Sequence, residues 1–143
     1  MGDIEASTRH SFSTRAIHAG QHPDPATGAV VTPISLSTTF AQEGVGEHKG
    51  FEYSRSGNPT RSALEAQVAS LEEADHGLAF ASGLAAEDNI LRLLRPGQRT
   101  LLGNDAYGGT FRLIAKVWSP LGFPWSAVDL TDLDALRTNW PDD

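Results

Sequence analysis

Cysteine is absent from this sequence of 143 residues, and lysine occurs only as Lys49 and Lys116. Without cysteine the chain has no disulfide framework, no thiolate nucleophile and no cysteine-based metal site, and we assign no metal. Eighteen Asp and Glu against eleven Lys and Arg give a net charge of −7. Because no basic stripe is visible that could neutralise phosphates, we expect no nucleic-acid partner.

Long apolar runs are also absent. The longest nearly apolar stretch, 78–86, is about half the roughly 20 residues needed to cross a bilayer, and Ser82 and Gly83 interrupt it. The amino terminus is acidic where a signal or transit peptide would be basic and apolar. We therefore expect a cytoplasmic protein without a membrane partner.

No helical or strand period persists from the start to about residue 60, where prolines and glycines are frequent. An extended stretch of that length is unusual inside a compact domain. It also carries large apolar side chains that a solvated tail would lack, namely Ile34, Phe40, Phe51 and Tyr53. We predict that residues 1–60 form an extended arm that contacts a neighbouring subunit.

Beyond residue 60, helical and strand patterns alternate. The predicted helices are 60–74, 84–94, 109–118 and 130–136, and the predicted strands are 78–81, 100–102 and 123–128. This alternation indicates an α/β fold with a parallel sheet flanked by helices. Three parallel strands would leave both sheet edges unpaired, so we expect residues 61–143 to be the first, truncated part of a larger domain.

Ser82, Gly83 and Leu84 lie where the predicted strand 78–81 turns into a helix. At such a turn, free backbone N–H groups and the positive end of the helix dipole can bind an anion, most often phosphate. Gly83 would let the anion approach the backbone, and the Ser82 hydroxyl would add a donor. Taken alone, the segment is also consistent with a plain serine N-cap.

Two further segments carry side chains that could bind a phosphate, a flat cofactor ring or a carboxylate. Tyr53 and Arg55 are two residues apart, so an extended backbone would direct both side chains toward one phosphate. Tyr107 follows the strand 100–102, where an aromatic ring can stack on a flat ligand, and Arg112 could receive a carboxylate. A surface loop and a glycine-rich turn beside a core tyrosine are the alternative interpretations.

Four motifs together resemble one family. "TRAIHAG" at Thr14–Gly20, "YSRSGNPTR" at Tyr53–Arg61, "ASGLAA" at Ala81–Ala86 and "DAYGGTFR" at Asp105–Arg112 occur in the order and approximate spacing of the pyridoxal-phosphate-dependent trans-sulfuration enzymes. The resemblance extends from about residue 15 to residue 136 and is greatest to the amino-terminal part of cystathionine gamma-synthases. It implies the aspartate-aminotransferase-like (type I) fold of PLP-dependent transferases, with pyridoxal 5'-phosphate as cofactor.

The resemblance also implies roles for individual residues. Tyr53 and Arg55 resemble residues that reach across a dimer interface to the cofactor phosphate of the neighbouring subunit. Gly83 and Leu84 resemble the backbone donors to the phosphate of their own subunit's cofactor, and Tyr107 resembles the ring that stacks on the pyridine. Tyr53 and Tyr107 are the implied catalytic residues. The implied cofactor-binding residues are Tyr53, Arg55, Ser82, Gly83, Leu84 and Tyr107.

Some positions bear on substrate class or depart from the family. Ala81 and Leu84 stand where the family usually has Ser and Met, and a backbone donor at Leu84 is compatible with that change. Glu52 is similar to an acidic residue that faces the amino group of cysteine or cystathionine, and Arg112 to an arginine that helps receive a substrate carboxylate. Gly109 stands where methionine gamma-lyases typically carry Cys, which argues against that branch.

The family depends on a Schiff-base lysine and on an aspartate that pairs with the pyridine nitrogen, and neither has a matching motif here. Lys49 and Lys116 are interpreted as solvated lysines. The resemblance implies gamma-replacement of an activated homoserine ester by cysteine, in a chain that we expect to be inactive alone. Cystathionine gamma-lyase is the alternative, and a non-catalytic truncated remnant or interaction module is the alternative of another class. Small amino-acid substrates and a homo-oligomer, dimeric or tetrameric, are the implied partners.

Overall fold

The computed structural model describes residues 10–140. The chain divides into two compact units, one through Ala79 and the other from Phe80 onward. The first unit therefore contains residues 10–60 of the predicted arm and the helix that follows it, whereas residues 1–9 of that arm lie outside the described residues. The contact of residues 1–60 with a neighbouring subunit stays a prediction. Within residues 10–140, no helix is both long and apolar enough to cross a membrane.

The first unit contains two helices, α1 (Phe12–His18) and α2 (Pro59–Leu71). The side chain of Asn58 accepts hydrogen bonds from the first N–H groups of α2, and proline at the first helical position suits its fixed φ. The sequence predicted α2 but no helix before residue 60, and α1 contradicts that expectation. Seven residues are too few to show a period, and the side-chain oxygen of Ser11, which caps α1, was the available signal.

Helix α1 is attached to α2 by a buried arginine and a close backbone approach. Arg15 donates to the carbonyl of Ser70 and pairs with Glu73 at 3.2 Å. Gly20 has φ +72°, and a Cβ there would lie 2.5 Å from the Ala63 carbonyl oxygen. Because that conformation and that space admit only glycine, the chain after α1 can lie directly against α2.

Between the two helices the chain is mostly irregular. Two isolated antiparallel bridges, Thr39 with Tyr53 and Gln42 with His48, bring residues 39–53 back on themselves. The rings of Phe40 and Phe51 pack at 5.6 Å between centroids. This folded-back segment ends at Tyr53, one of the residues singled out above.

The second unit is built from helices and one small parallel sheet. Its elements are α3 (Gly83–Leu91), β1 (Thr100–Gly103), α4 (Gly108–Arg112) continued by a π-helix (Leu113–Trp118), a 3₁₀ turn (Ser119–Leu121), β2 (Trp125–Val128) and α5 (Leu133–Asn139). Strands β1 and β2 pair in parallel from Thr100 opposite Trp125 to Gly103 opposite Val128. The α/β class predicted from the alternation is thereby confirmed.

The core of the second unit lies between its helices and one face of the sheet. Leu91, Ile114 and Trp118 are buried, and partly buried Leu94, Leu102, Leu113, Phe123 and Trp125 pack against them. The Trp118 indole donates to an Asp88 carboxylate oxygen at 2.9 Å. The core therefore joins α3 to the π-helix and packs both against the sheet.

The prediction of a strand at 78–81 is wrong. Within residues 10–140 no strand forms ladder hydrogen bonds with this segment, and Leu78 is 78% exposed. A strand needs a hydrogen-bonded neighbour, and β1 and β2 pair with each other instead. The predicted helix 109–118 is continuous, but its second half has the wider π geometry.

Candidate functional site

The amino terminus of α3 presents free backbone donors. Ser82 has φ −159° and ψ 160°, and its hydroxyl oxygen accepts the Ala85 N–H at 3.2 Å. The Ser82 carbonyl accepts the Ala86 N–H at 3.2 Å. No residue between 10 and 140 accepts the N–H of Gly83 or Leu84. Ser82 is thus an N-cap that also leaves two adjacent donors available to an anion.

The approach to these donors is open. A Cβ at Gly83 would meet no atom within 4 Å, and Gly83 and Leu84 are both exposed. The Ser82 hydroxyl accepts one hydrogen bond and keeps its own proton for donation. Two backbone N–H groups, one hydroxyl and the helix dipole form a donor set that matches phosphate oxygens.

Tyr107 lies beside this helix terminus. It immediately precedes α4 and is 74% exposed. A Cβ on buried Gly109 would lie 2.5 Å from Cε1 of Tyr107 and 3.3 Å from Cδ1 of Leu84. The tyrosine ring and the Leu84 side chain therefore flank the same glycine, and the structure brings together two segments that the sequence singled out separately.

A hydrogen bond between α3 and α4 supports this arrangement. Thr110 Oγ1 donates to Glu87 Oε1 at 3.0 Å, and Glu87 Oε2 is buried with no hydrogen-bond partner among residues 10–140. Glu87 is one turn beyond Gly83, and Thr110 follows Gly109. Sequence reasoning missed this pair because no motif connects a glutamate in one helix to a threonine in the next.

Arg112, the predicted carboxylate receptor, is exposed at the end of α4. Its Nη1 would lie 3.5 Å from a Cβ built on Gly108, so the guanidinium folds back over the first turn of that helix. It forms no ion pair with any residue in 10–140. The positive charge is therefore available to a ligand.

The first unit holds the other predicted residues. The Arg55 guanidinium carbon lies 4.9 Å from the ring centroid of Tyr53, so the structure places these two side chains together. Tyr53 is half-buried and Arg55 is exposed. Glu52 is also exposed, and its backbone carbonyl accepts the Phe40 N–H at 3.1 Å.

Neither lysine is buried. Lys49 pairs with Glu43 at 3.0 Å, and its side chain is 80% exposed. Lys116 is exposed on the π-helix. Both positions agree with the interpretation of these residues as solvated lysines.

Comparison with known proteins assigns the chain to a family. The family model for Cys/Met metabolism PLP-dependent enzymes matches residues 13–142. The chain is 57% identical to a cystathionine gamma-synthase of Mycobacterium leprae, and the alignment covers 88% of this chain and 33% of that protein. It is 53% identical to human cystathionine gamma-lyase, over 88% of this chain and 31% of that one.

A solved structure agrees with the sequence comparison. The crystal structure of metB from Corynebacterium glutamicum superposes with a TM-score of 0.90 at 48% identity, covering 95% of this chain and 36% of that chain. The chain thus spans about a third of the length of these relatives.

The cofactor of this family is pyridoxal phosphate. The residues present fit two parts of that molecule, because the free donors at Gly83 and Leu84 suit its phosphate and the exposed ring of Tyr107 suits its pyridine. The matching family model, the identity to two named relatives and the superposition all lead to one assignment: the chain belongs to the Cys/Met metabolism PLP-dependent enzymes.

Proposed function

We propose that this chain contributes the phosphate-binding and ring-contacting part of a trans-sulfuration enzyme. The proposed reaction is that of a cystathionine gamma-synthase, in which cysteine replaces the gamma substituent of an activated homoserine ester. The observation that carries the proposal is the pair of free N–H groups at Gly83 and Leu84 beside the exposed ring of Tyr107.

Each candidate site residue of the second unit has a distinct role in the proposed reaction. Gly83 and Leu84 donate their backbone N–H groups to the cofactor phosphate, and Ser82 adds its hydroxyl proton. Tyr107 lies against the pyridine ring and limits its tilt. When bound, pyridoxal phosphate supplies an electron-withdrawing ring that stabilises negative charge developing on the substrate. Arg112 receives the substrate carboxylate as a forked donor.

The first unit supplies residues for a second copy of the chain. The stacked Tyr53 and Arg55 present a hydroxyl and a guanidinium that together match one phosphate. We propose that they serve the cofactor of a neighbouring subunit, which requires at least a homodimer. Glu52, exposed one residue earlier, would face the amino group of the substrate.

The chain has no suitable covalent anchor for the cofactor. Lys49 is already paired with Glu43, and Lys116 is exposed on the π-helix. We therefore expect the 143 residues alone to bind pyridoxal phosphate reversibly and to turn over no substrate. A non-catalytic role remains the candidate of another class, and it predicts pairing between chains without any cofactor affinity.

The test compares pyridoxal phosphate with pyridoxal, which lacks the phosphate. Isothermal titration of the purified protein should give markedly tighter binding of the phosphorylated form, and inorganic phosphate should compete. Borohydride reduction followed by peptide mapping should show no stoichiometric, selective modification of Lys49 or Lys116. Equal affinity for the two ligands would contradict a phosphate site, and stoichiometric modification of one of these lysines alone would show that it is a covalent anchor.

Cystathionine gamma-lyase is the second candidate reaction, because the human enzyme of that name is 53% identical to this chain. Product analysis of any longer chain that contains this sequence would separate the two reactions. Cystathionine formed from an acylated homoserine and cysteine would support the synthase. Ammonia and a keto acid released from cystathionine would support the lyase.

A further inference from the structure

Arg61, in the first turn of α2, contacts the loop that carries Arg55. Its Nη1 donates to the Ser54 carbonyl at 3.2 Å, and its Nη2 donates to the carbonyls of Ser56 at 3.0 Å and Arg55 at 3.4 Å. Three consecutive carbonyls thus share one guanidinium. Only the planar fork of arginine offers several donors in this fixed arrangement.

The guanidinium is itself held in place. The Arg61 backbone N–H donates to Asn58 Oδ1 at 3.2 Å, which fixes the start of the side chain at the capped end of α2. Its Nε pairs with Glu65 Oε1 at 3.4 Å, and the two side chains are only 33% and 20% exposed. Helical side chains tilt toward the amino terminus, so Arg61 reaches back to the preceding loop.

The same glutamate contacts the chain that leads to the phosphate-binding segment. Glu65 Oε1 accepts the Ala79 N–H at 3.0 Å. A Cβ at Gly77 would lie 2.3 Å from the Glu65 carbonyl oxygen, so only glycine lets residues 77–79 lie this close to α2.

We propose that Arg61 is a positioning residue for Arg55, and that Glu65 holds the Arg61 guanidinium in place while it also binds the backbone of Ala79. This inference rests on the proposed function, because it assigns a purpose to a fixed Arg55 loop. Helix α2 is already capped by Asn58, so the three carbonyl contacts of Arg61 go beyond what capping requires. Their effect is to fix the backbone from which Arg55 and Tyr53 project.

The first test measures hydrogen exchange at the Ser54, Ser56 and Gly57 amides, which donate to Thr38 or Tyr53 carbonyls at 2.8 to 3.0 Å. Arg61→Gln should raise their exchange about tenfold, the equivalent of one net hydrogen bond. Arg61→Lys should restore part of the protection, because an ammonium reaches fewer carbonyls at once.

Arg137→Gln is the matched control, because Arg137 is an exposed arginine that pairs with Asp134 in its own helix, α5. It should leave the exchange of the Arg55 loop unchanged. Unchanged exchange of that loop in Arg61→Gln would overturn the proposal. An equal rise along the whole of α2 would overturn it as well, because it would show that Arg61 acts on helix stability.

The second test is a double-mutant cycle on the affinity of the protein for pyridoxal phosphate. Arg61→Gln should weaken binding, but it should add no further loss in an Arg55→Gln background, because it acts through that residue. An equal additional loss in both backgrounds would refute positioning. If Arg55→Gln alone leaves the affinity unchanged, the proposed role of Arg55 fails, whereas the exchange test of Arg61 still stands on its own.

Discussion

Replacing Gly83 by proline should remove one of the proposed phosphate donors and leave the fold intact. Proline has no N–H, and its fixed φ suits the first position of a helix, which is where Gly83 lies. Ser82, with φ −159° and ψ 160°, already has the extended conformation that a residue before proline adopts. No atom lies within 4 Å of a Cβ at this position, so the added atom at Cβ has room.

The expected loss follows from one hydrogen bond to a charged group. Such a bond contributes about 1.5 to 3 kcal/mol, and each 1.4 kcal/mol is about a factor of ten in affinity. Gly83→Pro should therefore weaken pyridoxal phosphate binding about 10- to 150-fold. Gly83→Ala is the matched control, because it adds the same Cβ but keeps the N–H, and it should bind like the unmodified protein.

The assay is isothermal titration of the three proteins with pyridoxal phosphate and, separately, with pyridoxal. Pyridoxal affinity should be the same in all three, because that ligand has no phosphate to lose a donor. Thermal melting should show that both variants remain folded. If folded Gly83→Pro binds pyridoxal phosphate as tightly as Gly83→Ala does, the phosphate does not lie at the amino terminus of α3.

Two further predictions concern the second unit. Hydrogen bonds from Arg92 and then Trp118 hold the pKa of Asp88 below its ordinary 3.8. The ionised Asp88 carboxylate therefore stabilises the fold above that ordinary pKa, and the stabilisation is lost as the pH falls through the lowered value. Asp88→Asn should flatten the acid side of a plot of melting temperature against pH, and an unchanged acid side would contradict this prediction. Gly109→Ala would place a Cβ 2.5 Å from the Tyr107 ring, so the exposed ring should turn away. The affinity for pyridoxal phosphate should then fall about 2- to 10-fold, which corresponds to the loss of one ring contact. Unchanged NMR signals of the Tyr107 ring in this variant would refute the prediction.

Local signals account for the parts of the fold that the sequence predicted well. Asn58 and Pro59 define the start of α2, because capping and a fixed φ depend on adjacent residues alone. Ser82 defines the start of α3 in the same way. Helix α1 was missed because it is short and because its attachment depends on Arg15, whose partners are more than fifty residues away.

The residues of the candidate site were predictable from local motifs, whereas the contacts between them were not. The motifs named the donors at Gly83 and Leu84 and the ring of Tyr107, because each is a local feature at the amino terminus of one helix. Their common contact at Gly109 came only from the packing of α3 against α4. The three carbonyl contacts of Arg61 could likewise not be predicted from the sequence, although Arg61 is the last residue of the motif Tyr53–Arg61.

The sequence by itself determined the α/β class, the family and the starts of α2 and α3, since these depend on composition, motif order and neighbouring residues. Tertiary structure alone decided which strands pair and which side chains meet. Residues 78–81 are as apolar as a buried strand, yet they form none in the part of the chain described, because a strand is stabilised by hydrogen bonds to a neighbour and by burial of its faces. A pattern along one segment carries no information about whether that neighbour is there.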